Sequence, residues 1–130
     1  MTRTAVNYDQ IAPTNNCRFQ GEKSQPILDA LRSLARQIHA GAVLEAGCGT
    51  GFWLAGLEVA FAKQAGQKFF GLDRSIGMLR QASLRKHGFY LVQGQAEAFP
   101  FSESSFDLIY CVHALHHFSN QPEFITSCLR

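Results

Sequence analysis

Apolar residues are spaced in two different ways along the chain, and each spacing predicts a different element. Between residues 25 and 40 they recur three and four positions apart, after Ser24 and Pro26, and Gly41 follows as a stop. This spacing predicts an amphipathic helix over 25–40. Residues 1–22 have no sustained period and contain Pro13 and Gly21, which predicts a loosely structured N-terminal arm.

Beyond residue 41, short apolar runs alternate with helical stretches. The runs predict strands at 42–46, 68–73, 89–93 and 106–112. The stretches between them predict helices at 52–65 and 75–88, and a last helix that Asn120 and Pro122 open. Strands that alternate with helices indicate right-handed crossovers and a parallel sheet. Residues 23–130 are therefore expected to form one α/β domain.

Composition and charge exclude several classes of protein. The 130 residues suit one domain, and the 46% hydrophobic content is enough for a core. The net charge is only +2 and there is no block of Lys and Arg, so neither nucleic acid nor a membrane surface is an expected partner. The N-terminus lacks an apolar signal, which favours a cytoplasmic protein. Cysteines lie far apart and are expected to be reduced thiols, not zinc ligands: Cys17, Cys48, Cys111 and Cys128.

The strongest local signal is the glycine-rich stretch EAGCGTG at residues 45–51, where the first predicted strand meets a helix. Glycines there allow a sharp turn and let a ligand approach the main chain. A dinucleotide fingerprint would need glycine where the chain has Phe52 or Leu54, and a P-loop would need a lysine after Gly51. Both phosphate-binding interpretations are weakened, and a turn without a ligand remains the alternative.

Two acidic residues end successive predicted strands. A buried carboxylate at Glu45 needs a cation or a hydrogen-bond donor, and an ammonium group on a ligand would supply it. Asp73 follows the glycine turn by about 20 residues, the position from which an acid reaches ribose hydroxyls in nucleotide-binding sheets. A capping role for Asp73, or an ion pair with Arg74, remains the alternative.

Residues 43 to about 118 resemble the class I S-adenosylmethionine-dependent methyltransferases, particularly the small-molecule group that includes quinone C-methyltransferases. VLEAGCGTG at 43–51 matches the first motif of that family, and GLDRSIGML at 71–79 is similar to its D-x-S-x-x-M-L stretch. The resemblance implies a Rossmann-like parallel sheet with flanking helices, the N-terminal half of a seven-stranded methyltransferase fold. It also implies S-adenosylmethionine as cofactor and a small molecule as methyl acceptor.

The same resemblance assigns cofactor contacts. It implies that Glu45 and the glycines face the methionine moiety, that Asp73 holds the ribose and that Met78 packs near the adenine. Residues 94–101 resemble the segment beside the adenine. Gln95 replaces the usual Asp there, and its side-chain oxygen can accept a hydrogen bond but carries no charge. The full set implied is Glu45, Gly47, Cys48, Gly49, Gly51, Asp73, Arg74, Met78, Gln95, Ala96 and Val112. Residues 8–12 (YDQIA) are similar to a stretch that lies over the cofactor, which makes Tyr8 a candidate lid residue.

Three histidines follow the fourth predicted strand, at positions 113, 116 and 117. Ligands of open parallel sheets bind beyond the carboxyl ends of the strands, so residues 111–117 are expected to border the site. Neutral imidazole suits a metal or a general base, but Glu123 is the nearest carboxylate and the family needs no metal. No metal site is predicted. His113 and His116 are the candidates for contacting or deprotonating the substrate, with structural roles as the alternative.

The chain ends at Arg130, in the helix predicted after the fourth strand, whereas the sheet of the family usually has seven strands. The fourth strand is then an expected exposed edge, which favours self-association through it. Two hypotheses follow: a methyltransferase acting on a small molecule, and a truncated, non-catalytic remnant that binds S-adenosylmethionine or nothing. A hydride-transfer enzyme is a distant third.

Overall fold

The computed structural model describes residues 7, 9, 24–61, 66–85 and 88–130. Almost all of the predicted arm, with Tyr8, lies outside these residues. The strands are β1 (Ala42–Ala46), β2 (Lys68–Asp73), β3 (Tyr90–Gln93) and β4 (Leu108–Tyr110). The helices are α1 (Gln25–Gln37), α2 (Phe52–Ala60), α3 (Ile76–Ser83) and α4 (Gln121–Cys128), with a short 3-10 helix at Leu115–His117. No helix in the described ranges is long and apolar enough to cross a membrane.

The four strands form one parallel sheet in the order β3-β2-β1-β4. Val43 of β1 pairs with Phe69 on one side and with Leu108 on the other, so β1 is central and β4 lies at an edge. The chain runs outward from β1 to β3 and then returns to the opposite side of β1. The predicted α/β fold is confirmed, and the strand order reverses between β1 and β4.

The core lies mainly between the sheet and the first two helices. Leu28 of α1 and Leu54 and Leu57 of α2 are buried with Val43 and Phe69 of the sheet. β1 is buried over four of its five residues, as expected of a central parallel strand. A smaller cluster under α4 joins Ala46, Ala96 and Phe124. Both clusters leave the carboxyl ends of the strands accessible to a ligand.

α1 and β4 are both shorter than the sequence predicts, and local contacts and backbone geometry explain why. α1 ends at Gln37 because His39 adopts a left-handed φ of 52°, and the N–H of Ala40 donates to the carbonyl of Ala35 at 3.0 Å. β4 lacks residues 106, 107, 111 and 112 of its predicted range. Its start is delayed because the Asp107 carboxylate accepts from the N–H groups of Gly41 and Ala42 instead. The left-handed φ of 55° at His113 then turns the chain away beyond the strand.

The predicted helix starts are confirmed by their caps. The Ser75 hydroxyl accepts from the Met78 N–H at 3.1 Å, and the Asn120 side chain accepts from the Glu123 N–H at 3.1 Å. The predicted ends at 65 and 88 were too late, because α2 ends at Ala60 and α3 at Ser83. The early end of α3 lengthens the connection to β3, whose carboxyl end borders the site.

Candidate functional site

The carboxyl ends of all four strands open into one cleft. It lies where the strand order reverses, the usual ligand position in open parallel sheets. The residues that line it are Gly47, Cys48, Gly49, Phe52, Trp53, Leu72, Asp73, Arg74, Met78, Gly94, Gln95, Ala96, Glu97, Val112, His113, Ala114, His117 and Phe118. Nine of the eleven predicted cofactor residues are among them.

The loop after β1 approaches its neighbours so closely that it needs glycine. Gly47 has a left-handed φ of 71°, and a Cβ there would lie 2.6 Å from the Cβ of Ala114. The N–H groups of Gly47 and Cys48 both donate to the carbonyl of Leu72, at 2.7 and 3.0 Å. Gly49 has φ of 54°, and the first atom that a Cβ there would meet is the Met78 sulfur at 4.0 Å. The loop is therefore fixed to β2 and leaves space toward Met78.

Asp73 connects this loop to the start of α3. One carboxylate oxygen accepts from the N–H of Gly49 and the other from the N–H of Ser75, each at 2.9 Å. Burial raises the pKa of Asp73, and the two backbone hydrogen bonds oppose that rise. Each oxygen of an ionised carboxylate can accept more than one hydrogen bond, so capacity remains for ligand hydroxyls. Asp73 thus has the predicted position on the cleft and also accepts from the N–H of Ser75, the residue that caps α3.

Glu45 lies beneath the cleft and is not part of its wall. Its side chain is 1% exposed and accepts from the N–H of Leu54, in the first turn of α2. Burial raises the pKa of the Glu45 carboxyl well above its ordinary value, and the nearby Asp73 raises it further. The atom Oε1 has no hydrogen-bond partner in the described structure. Glu45 is thus buried and is not among the residues that line the cleft, and its contact with the methionine moiety stays a prediction.

Two more predicted residues lie off the wall. Gly51 has a left-handed φ of 78°, and a Cβ there would lie 3.2 Å from the Cβ of Ala82, so this glycine allows α3 to approach α2. His116 is exposed and its ring centroid lies 3.8 Å from that of His117. Of the two catalytic candidates, only His113 lines the cleft, with its ring centroid 6.3 Å from that of Trp53.

Several wall residues were missed by sequence reasoning. Trp53 was interpreted as a core residue; it is 4% exposed and belongs to the core, yet it also borders the cleft. Its position in the first turn after the glycine loop was the available signal. Glu97 accepts from the N–H of Ser119 at 2.6 Å and so ties the loop after β3 to the segment after β4. Nothing local to Glu97 indicates that contact.

Asp9 belongs to the N-terminal stretch expected to cover the ligand. Its Oδ1 atom accepts from the Ser75 hydroxyl at 2.6 Å and from the N–H of Gly77 at 2.7 Å. These bonds lower the pKa of Asp9. A Cβ at Gly77 would lie 2.9 Å from the Cα of Asp9, so glycine allows the contact. Asp9 therefore lies against the start of α3.

Within the described residues, no group of three or more His, Cys, Asp and Glu side chains could hold a metal ion. The charged groups on the cleft wall are the acids Asp73 and Glu97 and the exposed Arg74. Gln95 adds an uncharged amide. Apart from these, most of the wall consists of apolar side chains and glycine backbone, a composition that suits a ligand with apolar, hydroxyl and cationic parts.

A family described as a methyltransferase domain matches residues 44–130. A malonyl-[acyl-carrier protein] O-methyltransferase of Methylococcus capsulatus is 34% identical over 131 aligned positions, which cover 97% of this chain and 43% of that protein. A protein of the same description from Legionella pneumophila is 28% identical, over 88% of this chain and 38% of its own length. The chain thus spans less than half of each of these curated relatives.

Among solved structures, the S-adenosylhomocysteine-bound methyltransferase PaMTH1 of Podospora anserina shares the fold. The TM-score is 0.67 at 17% identity, over 94% of this chain and 53% of that one. The family match includes β1 from Leu44 onward, the other three strands and the entire cleft wall described above. We conclude that the chain belongs to the class I S-adenosylmethionine-dependent methyltransferases.

Proposed function

We propose that this chain binds S-adenosylmethionine in the cleft and transfers its methyl group to a small-molecule acceptor. One observation carries the proposal: a single cleft joins the carboxyl ends of all four strands where the strand order reverses, with Asp73 on its wall. Residues 23–130 would form the cofactor-binding domain. The family match covers most of that range.

The residues on the wall fit the parts of this cofactor. Asp73 would accept from the ribose hydroxyls, and the space between Gly49 and Met78 would receive the nucleoside. Gln95 and Ala96 would border the adenine. Gly47, Cys48, Arg74 and Val112 would complete the contacts.

When bound, the cofactor supplies an electrophilic methyl group, so the chain needs no covalent catalytic residue. The protein has to align the acceptor and exclude water. His113 is the wall residue best suited to accept a proton from an acceptor that must lose one, because it lines the cleft on the β4 side. Its left-handed backbone is a conformation that non-glycine residues keep mainly where surrounding structure enforces it.

The relatives suggest the first acceptor to test. Both curated relatives are described as acting on a malonyl group carried by acyl-carrier protein. We propose a malonyl carboxylate as the acceptor class. Transfer to a carboxylate oxygen needs no general base, because the acceptor is already ionised at neutral pH. A requirement for His113 would then favour a different, protonated acceptor.

Methyl transfer can be measured with the chain, methyl-labelled S-adenosylmethionine and three acceptors: malonyl-acyl-carrier protein, free malonate and a phenolic small molecule. If the labelled methyl group appears in one acceptor, and the Asp73→Asn variant does not transfer it, the proposal is supported and the acceptor class is identified. Cofactor binding without transfer would favour the alternative, a non-catalytic remnant that retains the site. Neither binding nor transfer by a folded chain would overturn the proposal.

A further inference from the structure

A buried acid and a buried phenol lie side by side at the base of the cleft. Glu45 of β1 and Tyr110 of β4 are register partners in adjacent parallel strands. Paired residues of neighbouring strands project from the same face of a sheet and lie about 4.8 Å apart. Their exposed fractions are 1% and 8%. The third residue in this row is Gly71 of β2, and the side chains of Cys48 and Leu54 lie within 3.1 Å of the position that a Cβ there would take.

Each member of the pair has a polar atom without a partner. Leu54 donates to the Glu45 carboxyl, but its Oε1 atom accepts no hydrogen bond from any described residue. The Tyr110 hydroxyl also has no partner in the described structure. Buried polar groups in native proteins nearly always have one, so two unsatisfied atoms on paired residues need an explanation.

The groups whose charges act on the pair are acids. Asp73 of β2 raises the pKa of Glu45, while Glu45 and Cys48 of the glycine loop raise that of Tyr110. Glu45 also raises the pKa of Cys111, the next residue after β4. Burial is the largest cause in each case. Burial and the neighbouring acids therefore favour the protonated, neutral forms of Glu45 and Tyr110.

The pair is close to the wall of the cleft. Gly47 follows the end of β1 by one residue and Val112 follows the end of β4 by two, and both line the cleft. A cationic ligand above these residues favours the ionised form of Glu45, because opposite charges attract strongly in a buried setting. The proton leaves Glu45 for the solvent, and the carboxylate then has an oxygen free to accept from a neighbouring donor.

We propose that Tyr110 is a positioning residue for the cationic cofactor: its hydroxyl donates to the free oxygen of Glu45 when the cofactor fills the cleft. The inference rests on the proposed function, since it needs S-adenosylmethionine in the cleft. It adds a residue outside the glycine and acidic motifs to the binding site. A charge-assisted hydrogen bond of this kind stabilises the bound state alone.

The test compares Tyr110→Phe with Tyr90→Phe, a matched loss of a hydroxyl on the exposed edge strand β3, where Tyr90 is 54% exposed. S-adenosylmethionine affinity is measured by calorimetry from pH 5 to pH 8. We expect Tyr110→Phe to bind about tenfold more weakly, since a hydrogen bond to a charged group is lost. The pH at which affinity is half its maximum should rise, because Glu45 ionises less readily. Tyr90→Phe should match the unchanged chain in both readouts.

Glu45→Gln supplies the second arm. Titrations in buffers of different ionisation heat count the protons released on binding. We expect release from the unchanged chain, and none from Glu45→Gln. Adding Tyr110→Phe to Glu45→Gln should then cause no further loss of affinity.

Equal affinity and equal pH dependence of Tyr110→Phe and the unchanged chain would overturn this inference alone. Independent, additive losses in the double variant would overturn it as well. No binding by the folded, unchanged chain would overturn it together with the proposed function. A purely structural role for Tyr110 would shift the melting temperature but leave the pH dependence of binding in place.

Discussion

The two sides of the cleft are constructed differently. On the side of β1 and β2, here called the motif side (residues 45–51 and 71–79), backbone hydrogen bonds from Gly47, Cys48 and Gly49 fix the loop to Leu72 and Asp73. The other side, here called the histidine segment (residues 111–118), contains one short 3-10 helix. It touches the motif side where Ala114 meets Gly47.

This difference separates two kinds of constraint. The motif side is determined by short-range backbone geometry, which only glycine and a carboxylate at fixed positions can satisfy. The histidine segment is positioned by contacts from distant residues, such as Glu97 with Ser119 and Phe124 with Phe118, whose ring centroids lie 4.9 Å apart. Cofactor binding is thus expected to depend on the motif side, and acceptor chemistry on the histidine segment.

The largest expected effect comes from the point where the two sides meet. Gly47→Ala places a Cβ within 2.6 Å of Ala114 and imposes a left-handed φ on alanine. We expect the free energy of unfolding to fall by about 3 kcal/mol, from backbone strain and overpacking together. Gly66→Ala is the control, because Gly66 also has a positive φ but nothing lies within 4 Å of its Cβ position. Urea denaturation measures the free energy of unfolding of both variants. Equal losses in Gly47→Ala and Gly66→Ala would refute the close contact at Gly47.

The next effect separates binding from turnover on the histidine segment. With an acceptor that must lose a proton, we expect His113→Ala to lower kcat by about 100-fold, because general-base catalysis is lost. The KM for S-adenosylmethionine should stay unchanged, since the motif side is intact. His116→Ala, an exposed residue off the wall, should leave kcat unaltered. Equal losses in the two variants would contradict the assignment of His113.

A third prediction concerns pH and the buried acid of the motif side. Because the folded pKa of Glu45 is raised, the folded state binds this proton more tightly than the unfolded state. The contribution of this proton to the free energy of unfolding is therefore fully present below the ordinary pKa of glutamate. It is lost as the pH rises toward the folded pKa. Glu45→Gln removes this pH dependence. Between the ordinary pKa of glutamate and the folded pKa of Glu45, the free energy of unfolding of the variant should gain about 1.4 kcal/mol over that of the unchanged chain per pH unit. Parallel stability curves for the two proteins would contradict it.

The smallest effect is expected from the N-terminal contact of Asp9. Asp9→Ala removes two hydrogen bonds to the start of α3 and should weaken cofactor binding slightly. Because the pKa of Asp9 is lowered, its contribution is present above the ordinary pKa of aspartate and is lost as the pH falls through the lowered value. Asp29→Ala, on the exposed face of α1, is the control. If the loss of cofactor affinity in Asp9→Ala persists at acid pH, the charge of Asp9 is not its cause.

The same contrast explains how much the sequence could predict. The parallel arrangement of the strands, the caps at Ser75 and Asn120, and the cleft positions of Gly47, Gly49 and Asp73 follow from local patterns, and the structure agrees with them. Local patterns fix these features because the residues that form them are neighbours in the sequence or at strand ends.

Other features depend on contacts that no local pattern carries. The late start of β4 depends on the Asp107 carboxylate, which accepts from the N–H groups of Gly41 and Ala42, 66 and 65 positions away in the sequence. The place of Glu45 beneath the wall depends on the N–H of Leu54. The choice of His113 over His116 depends on a left-handed turn at a residue type that rarely adopts one.

Calorimetric titration of the chain with S-adenosylmethionine, beside Asp73→Asn, tests the central claim most directly. Asparagine keeps the shape and one acceptor oxygen but removes the charge. We expect saturable binding of one molecule per chain, and binding about 100-fold weaker in the variant, as expected for the loss of charge-assisted hydrogen bonds. If a chain that circular dichroism shows to be folded produces no heat of binding, the cleft is not a cofactor site and the account is contradicted.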